Sequence, residues 1–303
     1  MPLAGPRNIA IPSVDQIDSF VEFQRLYMDA QGWLIPHTKN RIAGELAIRI
    51  NSLGCKGDEL QPEVPVVMYL GDSTMIGVGP GSWTQEVNIP RCQALNAAVE
   101  GSNMRRLGQR LRCLRERIKP VGLVVYAGWN NLIYSKRETS YWHEALREYE
   151  GDYVLAFCNL ATNLRPECRY WGYPPLSPRT VRINDVPEGY FDFWSPRLPT
   201  QENIDAILDG VARYNDFLAD FCLRRGHILI DFYHTFLPES FAAMTRDFSD
   251  VCHFRSSMYH RVGASVHTAI AEPILRKLFG IPPLPRVPLL NPVSQSGYKE
   301  PHR

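Results

Sequence analysis

Three kinds of residue in this chain have the types and spacing to break an acyl bond: a serine ending an apolar run, histidines placed three residues after aspartates, and glycine or asparagine positions following other apolar runs. The first lies in "VVMYLGDSTMIGVG", residues 66–79, where Gly71-Asp72-Ser73 ends the run and a glycine-bearing segment follows. A serine on a tight turn from strand to helix stands exposed at the rim of a sheet. Its own N–H points into a first helical turn, whose orphan donors favour an anion. That placement suits a nucleophile and part of an oxyanion hole. The plainer reading of an isolated Gly-Asp-Ser is that Asp72 or Ser73 caps the next helix.

A serine nucleophile needs a base, and the base needs an orienting group. "SDVCHF", 249–254, supplies Asp250 and His253 in D-x-x-H spacing before the last helical stretch. "HILIDFYH", 227–234, offers a second such pair, Asp231 and His234. The pair near 250 lies in a loop opening a helix and is preferred; Asp231 and His234 are the decoy. An oxyanion needs further donors. "LNAAVEGSNM", 95–104, places Gly101 after a strand, and "VVYAGWNNLIY", 124–134, places Gly128 and Asn130 after the next. Each alone is an ordinary turn residue, though a bare N–H at Gly101 could approach a substrate oxygen closely and a side-chain amide at Asn130 would be a good further donor.

Such groups have to be held by a sheet. "VPVVMYL", 64–70, is continuously apolar, the pattern of a central parallel strand buried on both faces. "CQALN" (92–96), "VGLVVYA" (121–127), "HILIDF" (227–232) and "CRYWGY" (168–173) supply further strand candidates. Helices are expected over 103–118, about 139–163, 201–225 and 261–279, with Pro273 kinking or interrupting the last. Strands alternating with helices imply a parallel sheet covered on both faces, a three-layer α/β/α sandwich with a five-stranded, mostly parallel sheet. Before it, "SVDQIDSFVEFQRLYMDA", 13–30, reads as a helix with Ser13 as N-cap, and 31–63 is mixed. The expected organisation is an N-terminal helical extension (1–60) packed on the main domain, a catalytic domain (61–280) and a proline-rich tail (281–303). Residues 174–200, rich in proline and aromatics, read as an insertion near the rim.

Bulk properties narrow the class. The chain has 303 residues, 45% hydrophobic and 21% charged, with 33 basic and 32 acidic side chains giving a net charge of +1. That balance gives no reason to expect nucleic acid or an anionic surface as a partner. No apolar run approaches the ~20 residues of a membrane span, and the N-terminus lacks a signal-peptide pattern. Seven cysteines without a CxxC read as scattered thiols of a reducing, cytoplasmic compartment rather than a disulfide framework or zinc site.

Four segments in order resemble the four blocks of the SGNH hydrolases, the GDSL esterases and lipases. They are Gly71-Asp72-Ser73 (followed by Thr74 where the family name has Leu), "NAAVEGSN" with Gly101, "GWNN" resembling G-x-N-D, and Asp250-Val-Cys-His253 followed by "GASVHTAIAEPI". "NSLGCKGDE", 51–59, is similar to a stretch upstream of the first block in one bacterial subset. The resemblance covers about 50–280 and implies an SGNH, flavodoxin-like fold. It implies Ser73 as nucleophile, His253 as base and then acid, and Asp250 as its orienter. The Ser73 and Gly101 N–H groups and the Asn130 amide would form the oxyanion hole, with no metal or cofactor. Asp72, Trp129 and Asn131, beside these positions, are the expected substrate contacts. Asn131 departs from the usual aspartate, which puts the hydrogen bonding of its loop in question. The implied function is a serine esterase acting on a small-molecule acyl ester, for instance an O-acetylated sugar or metabolite. An O-acyltransferase using the same triad and a non-catalytic ligand-binding protein of the same fold are the alternatives.

Other candidates carry less. Cys252 adjoins His253 but reads as a buried thiol. His253, His260 and His267 recur every seven residues, a spacing that would suggest a metal face only if all three lay on one helix. Tyr170, Trp171, Tyr173, Tyr190, Phe191, Phe193 and Trp194 are candidates for an acyl or sugar pocket. The basic stretch 104–119 reads as a solvated helix face.

Overall fold

A computed structural model describes residues 45–77, 81–135, 151–164, 201–238 and 241–282, together with Asp29, Trp33, Leu34, Pro36, Lys39–Ile42, Leu146 and Tyr149. The expected helix over 13–30 (Asp29 apart), the strand candidate 168–173, the aromatic insertion 174–200 and the tail beyond 282 lie outside the described residues.

Seven strands are described. β1 (Lys39–Ile42) and β2 (Glu45–Arg49) form an antiparallel pair within the stretch whose sequence is mixed. The main sheet comprises β3 (Val66–Gly71), β4 (Gln93–Asn96), β5 (Gly122–Tyr126), β6 (Val154–Cys158) and β7 (Ile228–Ile230). Its order is β4-β3-β5-β6-β7 and every pairing is parallel. β3 and β5 are buried along their whole length, as expected of strands covered on both faces. The fold is therefore α/β with the strand order of flavodoxin-like sheets.

The fifth strand is β6, not residues 168–173, and it corrects the helix expected over about 139–163. "YVLAFCNL", 153–160, is a short apolar run between Gly151-Asp152 and Asn159, and periodicity alone does not tell such a run from a buried helical turn. Tertiary context decides: Phe157 meets Tyr149, Phe221 and His227 at centroid distances of 5.8, 5.6 and 5.8 Å.

The helices follow the sequence more closely. They are α1 (Ser73–Ile76), α2 (Met104–Arg115), α3 (Trp129–Ser135), α4 (Gln201–Arg225), α5 (Phe232–Phe236), α6 (Phe241–Asp247) and α7 (Tyr259–Leu278). α2 begins on the Asn103 side chain, which accepts from Arg106 N–H. It buries Leu107, Leu111 and Leu114 and leaves Arg105, Arg112 and Arg115 in solvent, while Arg110 turns inward. α7 runs unbroken through Pro273. Its stripe of Val262, Val266, Ile270 and Ile274 is fully buried, and this packing holds the helix where the missing N–H would end it.

With the right-handed crossovers usual for parallel strands, α2, α3 and α4 lie on one face and α7 on the other, together with the 3₁₀ turn Trp83–Glu86 that follows α1. α3 packs on α4, and α7 packs on the 3₁₀ turn, β6 and β7. The chain leaves β3 toward β4 and later returns past it to β5, so β3 and β5 flank the topological switch point. Ligands of open α/β sheets bind outside the carboxyl ends of the strands there. Among the described residues, no helix is long and apolar enough to cross a membrane.

Phe157→Ala should lower unfolding free energy by about 3–5 kcal/mol, the usual cost of emptying an aromatic core site. Urea denaturation checks this; an unchanged midpoint would mean that β6 does not hold the sheet.

Candidate active site

The turn after β3 is built from Asp72. Its backbone carbonyl accepts from Met75 and Ile76 N–H at 3.1 and 3.0 Å, and Oδ1 accepts from Thr74 N–H at 3.1 Å and the Thr74 hydroxyl at 2.6 Å. The capping role offered by the plainer reading is thus real, and Asp72 performs it. Ser73 is left free for other work: its N–H has no acceptor among the described residues. Gly71 is required by close approach, since a Cβ there would lie 2.5 Å from Tyr126 O and 2.7 Å from Met75 Cβ.

The D-x-x-H loop arrives from the far side of the sequence. Asp250 Oδ1 accepts from Cys252 and His253 N–H at 2.9 and 2.8 Å, and Oδ2 lies 2.6 Å from His253 Nδ1. The loop is pinched shut by Ser249 N–H to His253 O (2.9 Å) and by Phe248 against Phe254 (4.9 Å). His253 Nε2 then stands 2.8 Å from Ser73 Oγ, across 180 positions of chain. Ser73, His253 and Asp250 thus form a continuous hydrogen-bonded line.

The decoy is informative. Asp231 Oδ1 accepts from His234 N–H at 3.0 Å, and Oδ2 lies 2.7 Å from His234 Nδ1, the same local geometry. Yet the His234 side chain is 75% exposed against 15% for His253. D-x-x-H makes an aspartate-histidine pair wherever the turn allows; only one of the two reaches the serine.

Of the residues expected as further donors, Asn130 is tied to the turn that carries Ser73 and to the segment that carries Gly101. Gly101 has φ +61° with open space where a side chain would be, and its N–H has no acceptor among the described residues. Asn130 Nδ2 donates to Ser102 O at 3.1 Å and to Asp72 Oδ2 at 3.3 Å, linking the Gly101 loop to the nucleophile turn. The longer of these bonds is the weaker. Asp72, Trp129 and Asn131, expected as substrate contacts, are buried, with 0, 1 and 2% exposure. Asn131 Oδ1 accepts Met104 N–H at the start of α2, 2.9 Å away. That bond needs only an acceptor oxygen, which asparagine supplies as well as the more usual aspartate.

Sequence reasoning passed over the supports. Asn163 donates Nδ2 to Asp250 O, and Thr162 Oγ1 donates to Val251 O at 3.5 Å. The available signal is the polar "TN" in "CNLATNL" just past an apolar run. Cys252 is buried and its thiol is pushed well above the ordinary range by that burial, so it is no thiolate nucleophile. Asp250, Cys252 and His253 hold one ligand atom each within 4.8 Å of one another. His253 Nδ1 is taken up by Asp250 Oδ2 at 2.6 Å, and burial keeps the Cys252 thiol protonated, so the cluster is first of all a hydrogen-bonded aspartate-histidine pair. The His253, His260, His267 series is divided between this loop and α7 and forms no such cluster among the described residues.

Electrostatics separate the two aspartates. Burial disfavours the imidazolium of His253, but the hydrogen bond and charge of Asp250 outweigh it, with Asp72 and Glu100 adding, and its pKa is raised above 6.5. Burial also opposes the Asp250 charge, but its bonds to His253 and Cys252 hold its pKa below 3.8. Asp72 goes the other way: full burial raises it despite its bonds to Thr74.

No protein-family model matches the sequence, and no curated protein does. Among solved structures the chain is similar to lipolytic proteins of the G-D-S-L family. A lipase/acylhydrolase from Enterococcus faecalis is 14% identical, with a TM-score of 0.44 over 69% of this chain and 96% of that one. A member of the lipolytic protein G-D-S-L family from Veillonella parvula gives 14%, 0.45, 70% and 98%. A GDSL-like lipase from Bacteroides thetaiotaomicron gives 11%, 0.46, 72% and 91%.

The raised His253 pKa has a sign that NMR titration reads directly. The imidazole should titrate above 6.5 in the native protein and lower in Asp250→Asn, where burial acts without the opposing charge. By linkage, His253 contributes stability below its unfolded pKa that is lost as pH rises through the folded one. Asp250 contributes stability above its unfolded pKa that is lost as pH falls through its folded one. Equal titration in both proteins would remove the Asp250–His253 coupling.

Proposed function

We propose that the protein is a serine esterase that cleaves a small acyl ester through an acyl-serine intermediate. The observation that carries this is the 2.8 Å contact of His253 Nε2 with Ser73 Oγ, backed by Asp250 at 2.6 Å from Nδ1. Ser73 Oγ attacks the acyl carbon while its proton passes to His253 Nε2. The carbonyl electrons move onto oxygen, where the Ser73 and Gly101 N–H groups and one Asn130 N–H donate. The intermediate collapses, the C–O bond to the alcohol breaks, and His253 returns its proton to the departing oxygen. Water, deprotonated by the same imidazole, then attacks the acyl-serine and regenerates Ser73. Asp250 keeps Nδ1–H pointed at itself, which presents the basic lone pair of Nε2 to the serine. The resemblance of the four blocks to GDSL esterases favours an oxygen ester as substrate, and O-acetylated sugars are a first class to try.

A fluorophosphonate probe should modify Ser73, located by peptide mass, and leave Ser73→Ala unmodified. With p-nitrophenyl acetate, Ser73→Ala should lose roughly 10⁴-fold or more in turnover, since the three groups act as a unit. Asn130→Ala should lose about 10²- to 10³-fold. Full activity in Ser73→Ala would end the proposal.

A further inference from the structure

The stretch "NSLGCKGDE", 51–59, has no part in the chemistry above, yet it reaches the nucleophile. Asn51 Oδ1 accepts from Leu53 and Cys55 N–H, both at 3.0 Å, and folds the segment into a tight turn. Arg110 of α2 anchors that turn through Gly54 O and also holds Ala97 O at 2.8 Å. Lys56 N–H donates to Asn96 O at 3.0 Å, which lays the segment along the free edge of β4. The Lys56 side chain is thereby directed inward, and the residue is 7% exposed.

Its ammonium donates to Ile76 O at 2.7 Å and Gly81 O at 2.9 Å. Ile76 is the last residue of α1. A one-turn helix has no room to satisfy its final carbonyls internally, and here water is excluded. Each of the last three is met by a buried side chain from elsewhere. Trp83 Nε1 donates to Thr74 O at 3.1 Å. Ser82 Oγ and Asn96 Nδ2 donate to Met75 O at 2.7 and 3.3 Å, and Asn96 also reaches Ser82 Oγ and Thr84 Oγ1, both at 3.1 Å. Lys56 meets the third. Gly77, between the two carbonyls Lys56 gathers, has φ +76°, and a Cβ there would lie 2.2 Å from Gly81 O, so the chain folds back on itself.

Among the described residues no carboxylate pairs with Lys56. Burial lowers its pKa to about 8, which leaves it mostly protonated at neutral pH. A buried ammonium without a counter-charge is costly, and an apolar side chain would fill the volume without that cost. What the ammonium adds is a pair of short bonds that tie the end of α1 to Gly81.

We propose that Lys56 is a positioning residue for Ser73: its two carbonyl bonds fix the C-terminal end of α1, and so keep Ser73 Oγ in line with His253 Nε2. The inference rests on the reading of Ser73 as nucleophile, and its test separates the two. Lys56→Met and Lys56→Arg would be compared with the native protein by fluorophosphonate labelling rate, by p-nitrophenyl acetate kinetics and by hydrogen exchange in peptides across 72–84. Lys56→Met should lose about 10- to 100-fold in labelling rate and in kcat with KM little changed, as for a nucleophile displaced by a fraction of an ångström. Exchange should rise in 72–84 while β5 and β6 stay protected. Lys56→Arg, which keeps the charge and donors, should recover most of the rate. Should Lys56→Met fail to fold, Lys56→Gln replaces it, with a loss of at least about fivefold expected on the same reasoning. A folded variant with native labelling and native exchange overturns the proposal, as does exchange that rises uniformly across the sheet. If the native protein is not labelled at Ser73, the esterase reading falls, and exchange alone decides whether Lys56 holds α1.

Discussion

One buried carboxylate organises the rim of this sheet. Asp72 is fully buried, and every part of it is engaged. Its N–H reaches Tyr126 O on β5 at 3.4 Å, its carbonyl and Oδ1 shape α1, and Oδ2 receives Asn130. The turn after β3, the neighbouring strand β5 and the start of α3, which carries Asn130, are therefore tied together through Asp72. Because burial makes a missing partner expensive, this network tolerates little variation in geometry. The cap and the nucleophile are neighbours with divided labour: Asp72 consumes the local donors, and the N–H of Ser73 remains.

The two aspartates near His253 act in different ways because their surroundings differ. Asp250 sits in a turn that gives it two backbone donors and the imidazole, and it stays ionised. Asp72 is farther from water, and burial works against its charge. Together they favour the protonated form of His253. Divergent environments for similar groups are a common way of assigning acid and base roles within one fold.

Support comes from elements that carry no chemistry. α7 begins just after the His253 loop and packs on the 3₁₀ turn that follows α1, so the segments carrying His253 and Ser73 share a foundation. Asn163 and Thr162, past the end of β6, hold the backbone of the D-x-x-H loop. On the opposite side, Lys56, Asn96 and Trp83 close the carbonyl end of α1. The loop that carries Asp250 and His253 and the turn that carries Ser73 are thus braced from both sides by packed elements.

Four of the five strands of the main sheet were legible as short apolar runs, most plainly β3 and β5, whose burial along their whole length leaves no polar position. β6 was not, since five apolar residues after a turn fit a helix equally well until Phe157 is seen among Tyr149, Phe221 and His227. The sequence by itself determined the local devices: the Asp72 cap, the Asn103 cap of α2, and two aspartate-histidine pairs, each made by hydrogen bonds within four residues. It did not determine which pair meets Ser73, that Trp129 and Asn131 are buried, or that Lys56 reaches α1. Those contacts join residues 20 to 180 positions apart. The crossover of the chain at β3 and β5 and the packing of α7 set them, and no local pattern records that geometry.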